Sequence, residues 1–151
     1  MKQQGRLIAA TLFAAAIMST LPGYLVMPVS DSVRPALLIK LPWMAPKKGD
    51  YVTFELHNKK LPNGHAFLTK RIGCISGDNL ENRAGAFFCN GDYMVTALDK
   101  DGYGNALSQY RVNGIIPDNK AFVIGDNPSS YDSRYWGLIP INSATYSFPI
   151  F

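Results

Sequence analysis

From Leu7 to Ser30 the chain carries no charged residue. Wound as a helix, the run LIAATLFAAAIMSTLPGYLVMPVS is long enough to cross the ~30 Å hydrocarbon core of a bilayer. No other feature limits the fold as strongly. Lys2 and Arg6 precede the run, which by the positive-inside tendency leaves the N-terminus in the cytoplasm and everything after Asp31 outside. A cleaved secretory signal competes with this reading, because LIAATLFAAAIM has the length of a signal core and small residues follow it. Pro22 and Gly23 also weaken the helix late in the run. Tyr24, Leu25, Val26 and Met27 carry the apolar character past any cut site, which favours an uncleaved anchor. The expected organisation is residues 1–29 as a cytoplasmic N-terminus and single transmembrane helix, and residues 30–151 as one domain beyond the membrane.

At 151 residues, 47% of them apolar, the chain can hold one compact domain plus this short extra element. Its formal charge of +4 does not mark a nucleic-acid protein. The basic residues are scattered from Lys2 to Arg134 among eleven acids, as on a solvated surface. Cys74 and Cys89 are the only cysteines. An exported segment permits a disulfide between them, and two buried thiols are the alternative. No metal centre is expected, since the cysteine spacing lacks a second ligand pair and only His57 and His65 are available.

Beyond residue 30 the sequence breaks into short apolar runs separated by turn signals, with no long amphipathic helix, which predicts mainly β structure. Tyr51–His57 alternates, Lys60-Leu-Pro-Asn-Gly64 is a turn with an Asn-Gly core, and His65–Ile75 resumes as a return strand carrying Lys70. Further strands are predicted at Ala86–Cys89, Tyr93–Leu98, Tyr110–Ile115, Ala121–Ile124, Gly137–Pro140 and Thr145–Phe148. Many short strands after one helix suggest a small coiled sheet or open barrel.

Three segments carry candidate chemistry. Ser30-Asp-Ser-Val-Arg-Pro35 begins where the apolar run ends and offers Ser32 as a nucleophile, although a serine at such a junction is most often a solvated linker residue. A serine nucleophile needs a base. His57 ends a predicted strand and His65 follows the Asn-Gly turn, so both read as surface hairpin residues. A lysine serves instead when burial strips its hydration and brings its pKa toward neutrality. Lys70 lies in Ala66-Phe-Leu-Thr-Lys-Arg-Ile-Gly73, whose apolar residues can supply that burial, although a strand lysine most often faces solvent. The segment Ile124 to Pro140 sets turn formers, two acids, three serines and an arginine between two apolar strands. A loop held by an Asp132–Arg134 pair, with an ordinary turn at Asn127-Pro128, would account for it without chemistry.

Gly125-Asp126-Asn127…Asp132-Ser133-Arg134-Tyr135-Trp136-Gly137 resembles the C-terminal signature of the signal peptidase I family. Pro46-Lys-Lys-Gly-Asp-Tyr-Val-Thr-Phe54 resembles the strand box that follows the family's nucleophile, and Lys70-Arg-Ile-Gly-Cys-Ile-Ser-Gly-Asp78 resembles its general-base box. Asn90-Gly91 falls where the family has an Asn-Gly turn. The resemblance implies a mainly β peptidase domain, periplasmic and anchored in the bacterial inner membrane by a single pass, with precursor proteins as substrates, the lipid bilayer as neighbour and no cofactor.

Residue by residue, it implies Ser32 as nucleophile and Lys70 as general base. Ser30, with the Ser32 backbone N–H, would form the oxyanion hole, and Ser130 would orient the lysine. Asp132 and Arg134 would brace the site, with Gly125, Asp126 and Asn127 in support. Two departures stand out: Ser-Val-Arg-Pro replaces the usual Ser-Met-x-Pro, and the loop between Asn127 and Asp132 is one residue shorter. Small size and a single anchor, with no room for a large second domain, make the chain similar to the TraF-type conjugative-transfer peptidases that mature pilin precursors. A catalytically silent component of a conjugation or secretion assembly, a repressor-type Ser-Lys autoprotease and a generic exported β-domain are the rival readings.

Overall fold

The computed structural model describes residues 22–59 and 61–151. Most of the apolar run assigned to a transmembrane helix therefore lies outside the described residues. Among those described, no helix is long and apolar enough to cross a membrane.

The chain is mainly β. The strands are β1 (Leu25–Val26), β2 (Leu38–Lys40), β3 (Tyr51–His57), β4 (His65–Ile75), β5 (Asn79–Arg83), β6 (Ala86–Cys89), β7 (Asp92–Thr96), β8 (Asn113–Ile115), β9 (Lys120–Ile124), β10 (Ile139–Pro140) and β11 (Thr145–Pro149). A short helix, α1 (Ser133–Trp136), lies between β9 and β10. They form a seven-stranded sheet in the order β1-β2-β11-β3-β4-β9-β10 and a four-stranded sheet in the order β7-β6-β5-β8. The large sheet has β1 and β10 at its two ends and does not close.

The β3–β4 hairpin is the spine. Its register runs from Tyr51 opposite Arg71 to His57 opposite His65, and a 3₁₀ turn at Pro62–Gly64 joins the strands. Asn63 and Gly64 there adopt φ of 60° and 77°, the left-handed region that Asn and Gly tolerate best. Period-2 alternation turns Val52, Phe54, Leu56, Leu68 and Ile72 toward one core, shared with Ala121, Val123 and Ile139.

A bulge between Ile72 and Cys74 then shifts the register of β4 against β9. It sends Cys74 to a second core, with Leu80, Phe87, Cys89, Ile116, Phe122 and Ile124. β9 alternates between the two cores, so it is buried on both faces and reads in sequence as an unbroken apolar run.

Cys74 and Cys89 are disulfide-bonded across the second core, tying β4 to β6. The bond closes a separation of 15 residues, for which chain entropy gives ~3 kcal/mol. Cys74→Ser/Cys89→Ser is therefore expected to lower the unfolding free energy by about 3 kcal/mol in guanidinium titrations. A loss below ~1 kcal/mol would show that packing alone holds the two sheets together.

The strands differ from expectation in several places: β2 (Leu38–Lys40) is not among the predicted strands, and β7 and β10 are shorter than the predicted Tyr93–Leu98 and Gly137–Pro140. Leu25 and Val26, inside the apolar run, pair with Ile39 and Leu38, so the sheet begins before residue 30. Asn79–Arg83 is a strand although only Leu80 in it is fully buried. Tyr110 to Val112 stays outside the ladder, with the Tyr110 N–H donating to the carbonyl of Arg134.

Candidate active site

Lys70 sits on β4 between Leu68 and Ile72 at the i±2 positions, so strand parity turns it toward the core, opposite Val52. It is 3% exposed. Its Nζ donates to Ser130 Oγ at 2.6 Å. Burial, which disfavours the ammonium, lowers its pKa from 10.5 to about 8. Asp132 and Asp126 oppose that shift through their charge, while Arg134 assists it.

Ser32 follows the apolar segment on an irregular stretch. Its Oγ accepts a hydrogen bond from Ser30 Oγ at 3.1 Å, and its carbonyl accepts from the Asp126 N–H at 2.8 Å. Ser30, Ser32, Leu61, Leu68, Lys70 and Ser130 all line one open cavity of about 430 Å³. The fold thus brings the two candidate catalytic residues into one cavity. Among the described residues, however, the lysine's hydrogen bond runs to Ser130 and that of the Ser32 hydroxyl to Ser30. Nucleophile–base bonds in unliganded sites are often looser than in the reacting complex.

Gly125 makes the convergence possible. A Cβ there would stand 2.2 Å from Ser130 Oγ and 2.8 Å from the Ser32 carbonyl oxygen. Any larger residue would push the two serines apart.

Asp132 and Arg134 are both completely buried. Arg134 donates from Nε to Asp132 Oδ1 at 2.7 Å and from an Nη to Oδ2 at 2.8 Å. Its remaining donors reach the carbonyls of Thr96, Pro128 and Ser130. The bidentate fork neutralises the carboxylate where water cannot. Asp132 also accepts from the Gly125 N–H at 2.8 Å and caps α1 through the Arg134 N–H. One ion pair therefore fixes the backbone on both sides of Ser130.

Asp126 faces the other way. Its carboxylate accepts from the Arg34 N–H, Tyr51 Oη and Arg71 Nε at 3.0, 2.7 and 2.9 Å. Burial opposes its ionisation, but these bonds and the Arg71 charge outweigh that effect and hold its pKa below the ordinary carboxylate value. Burial, then the hydrogen bond and charge of Asp126, push the Tyr51 hydroxyl up to about 12. Asn127 organises the loop, its Oδ1 accepting from the Ser129 N–H and Oγ and its carbonyl from the Ser130 N–H.

Sequence reasoning did not give Tyr51, Arg71 or Leu61 a place here, nor Tyr131, which lines the same cavity as Lys70 and Ser32. Arg71 was legible in principle, since it follows the inward Lys70 and must point to the opposite face. Tyr51 and Tyr131 have no local signal.

His57 and His65 lie exposed at the turn end of the β3–β4 hairpin and do not line this cavity. Asp78 comes close to Cys74 and Cys89, but their sulfurs are joined to each other and supply no thiolate for a metal.

Residues 4–146 match the family described as signal peptidase, peptidase S26. The chain is 33% identical over 98 residues to a probable signal peptidase I-2 of Synechocystis sp., covering 63% of this chain and 43% of that protein. It is 33% identical over 89 residues to signal peptidase I of Buchnera aphidicola, covering 58% and 29%. The chain thus spans less than half the length of these curated relatives. The crystal structure of a signal peptidase I from Enterococcus faecalis V583 shares 22% identity, covering 70% of this chain and 97% of that one, with a TM-score of 0.44. That likeness is too slight to bear on the fold. The match over residues 4–146, which spans every strand and loop that reaches the cavity, decides the family: the chain belongs to the signal peptidases of peptidase family S26.

Proposed function

We propose that this chain is a membrane-anchored serine endopeptidase that removes signal or leader peptides from exported precursors, with Ser32 as nucleophile and Lys70 as general base. One observation carries the reading: a buried, dehydrated lysine lines the same cavity as a serine whose carbonyl is held in place.

The chemistry follows from the groups present. Neutral Lys70 removes the proton from Ser32 Oγ as the oxygen attacks the scissile carbonyl carbon. The hydroxyl of Ser30, released from Ser32 Oγ, and the Ser32 N–H stabilise the oxyanion. Collapse breaks the C–N bond, and Lys70 returns the proton to the departing amine. Lys70 then deprotonates a water that releases the acyl group from Ser32. Ser130, accepting an Nζ–H, leaves the lysine's single lone pair available to Ser32.

The finer reading is that the substrate is a pilin or other conjugative-transfer precursor, met at the outer face of the bacterial inner membrane. The short Asn127–Asp132 loop and a second sheet of only four short strands support this compact branch. If an amine of the same substrate attacks the acyl-enzyme in place of water, the product is a cyclic peptide.

The test is to incubate detergent-purified protein with pilin and secreted precursors and read intact masses. Cleavage is expected with wild type and is expected to vanish with Ser32→Ala. A product lighter by one water than the linear peptide would identify cyclisation. Undiminished cleavage by Ser32→Ala would overturn the assignment of the nucleophile, and no cleavage of any precursor by wild type would favour a catalytically silent assembly component.

A further inference from the structure

We propose that a cleft beside Ser32, between the two sheets, receives the first residues after the scissile bond and selects an acidic side chain there through Arg34 and Arg71. The inference rests on the peptidase reading above and adds the substrate chemistry that this chain prefers.

The cleft has a volume of about 620 Å³. Tyr51 and Arg71 line it from the seven-stranded sheet, and Tyr93 and Met94 line it from β7, the end strand of the four-stranded sheet. Two stretches of chain divide it from the catalytic cavity. Ser32 lines the cavity and Arg34 the cleft, while along the site loop Asp126 and Pro128 line the cleft and Asn127 and Ser129 the cavity. The Asp126 N–H donates to the Ser32 carbonyl at 2.8 Å and joins the two stretches. A polypeptide bound across Ser32 thus has the cavity on one side and the cleft on the other. Leu61, Leu68 and Tyr131 in the cavity suit the apolar signal segment, which leaves the cleft to the polar part of the precursor.

Charge decides what that part should carry. Asp126 is the one carboxylate among the described residues of the cleft wall, and both its oxygens are engaged. Oδ1 accepts from Arg71 Nε, and Oδ2 accepts from the Arg34 N–H and Tyr51 Oη. One carboxylate facing two guanidinium groups leaves a positive charge in surplus. Arg34 is exposed, and no described residue bonds to its guanidinium. Arg71 donates from Nε, and its Nη groups bond to no described residue. Both cations act on the Tyr51 hydroxyl, each working against the rise of its pKa. Guanidinium N–H donors of this kind match the oxygens of a carboxylate. A cationic residue at the same place in the substrate would meet like charge.

A bracing role does not account for the Arg34 side chain. Its backbone N–H holds Asp126, and any residue but proline supplies that donor.

The test measures kcat/KM for a secreted precursor bearing Asp, Asn or Lys at the first two positions after the scissile bond, with the cut identified by intact mass. Wild type is expected to cleave the Asp form about 10-fold faster than the Asn form, as charge-assisted hydrogen bonds partly open to water should give. The Lys form should be slowest, and added salt should shrink the preference. Arg34→Gln should bring the three rates together, and Arg34→Glu should reverse their order in favour of Lys. A reversed preference is a change that loss of a structural brace does not produce. Because the side chain is exposed, both variants should keep the wild-type melting temperature. Equal cleavage of the three forms by wild type would overturn this proposal and leave the peptidase reading standing, whereas no cleavage of any form would overturn both. An equal fall for all three in Arg34→Glu would assign Arg34 to the placement of Ser32 or to anionic lipid headgroups, and would overturn the proposal as well.

Discussion

Lys70→Met is expected to reduce precursor cleavage by roughly 10³-fold or more while leaving the melting temperature at pH 7 unchanged or higher. General-base removal costs ~10²–10⁴-fold, and methionine fills nearly the same volume without the charge. In the wild type the lysine's pKa is lowered from 10.5 to about 8. At ~1.36 kcal/mol per pKa unit, holding the buried ammonium folded costs about 3 kcal/mol below pH 8. Methionine removes that cost. It also leaves the Ser130 hydroxyl without its partner, a loss of ~1–3 kcal/mol, so the two effects roughly cancel or favour the variant.

The sign of the pH dependence follows from the same shift. Between about 8 and 10.5 the unfolded chain holds a proton on Lys70 that the folded chain does not, so wild-type stability gains from this group as pH rises through that window. The variant should lack that gain. Activity needs the neutral amine, so wild-type cleavage should climb about tenfold per pH unit below 8 and level off above it. Calorimetry at pH 7 and 10, with cleavage rates from pH 6 to 10, checks each part. A marked fall in melting temperature would make Lys70 a structural residue, and a flat rate profile would exclude a lysine base.

Arg134→Met is expected to destabilise the protein by about 3–5 kcal/mol, the usual result of stranding one partner of a buried ion pair. The pair is wholly inside, and the guanidinium also satisfies three backbone carbonyls. Its loss leaves the Asp132 carboxylate uncompensated and frees the Ser130 carbonyl, so the lysine's partner should drift and cleavage should fall with stability. Removing both charges should cost less than the sum of the single changes, because the double variant leaves no stranded charge. Guanidinium unfolding of Arg134→Met, Asp132→Asn and the double variant measures this coupling. Additive losses would mean that the two side chains act independently, against the bidentate geometry.

The sequence by itself determined a good part of this protein. Alternation and an Asn-Gly turn were enough to place the β3–β4 hairpin, because period-2 burial and a left-handed turn are local demands. Lys70 was marked by the resemblance of its box and by its apolar neighbours, while its inward orientation, between Leu68 and Ile72, is a result of the strand register. The polar density of residues 125–137 marked a site loop between two apolar strands.

Other features depended on residues distant in the chain. Spacing permitted Cys74 and Cys89 either to bond or to stay free, and only the bulge before Cys74, which turns it into the second core toward β6, brings them together. Asn79–Arg83 became a strand because its neighbours β6 and β8 offer ladder partners to a mostly polar segment. The three donors on Asp126 come from positions 34, 51 and 71, and no short motif joins them.

The apolar run that set the first expectation shows the division most clearly. Hydrophobicity alone does not tell lipid from protein interior, since both remove apolar surface from water. Residues 7–21 lie outside the described structure, but at Leu25 and Val26 the strand Leu38–Lys40 supplies hydrogen-bonding partners, and that pairing makes the end of the run part of a sheet.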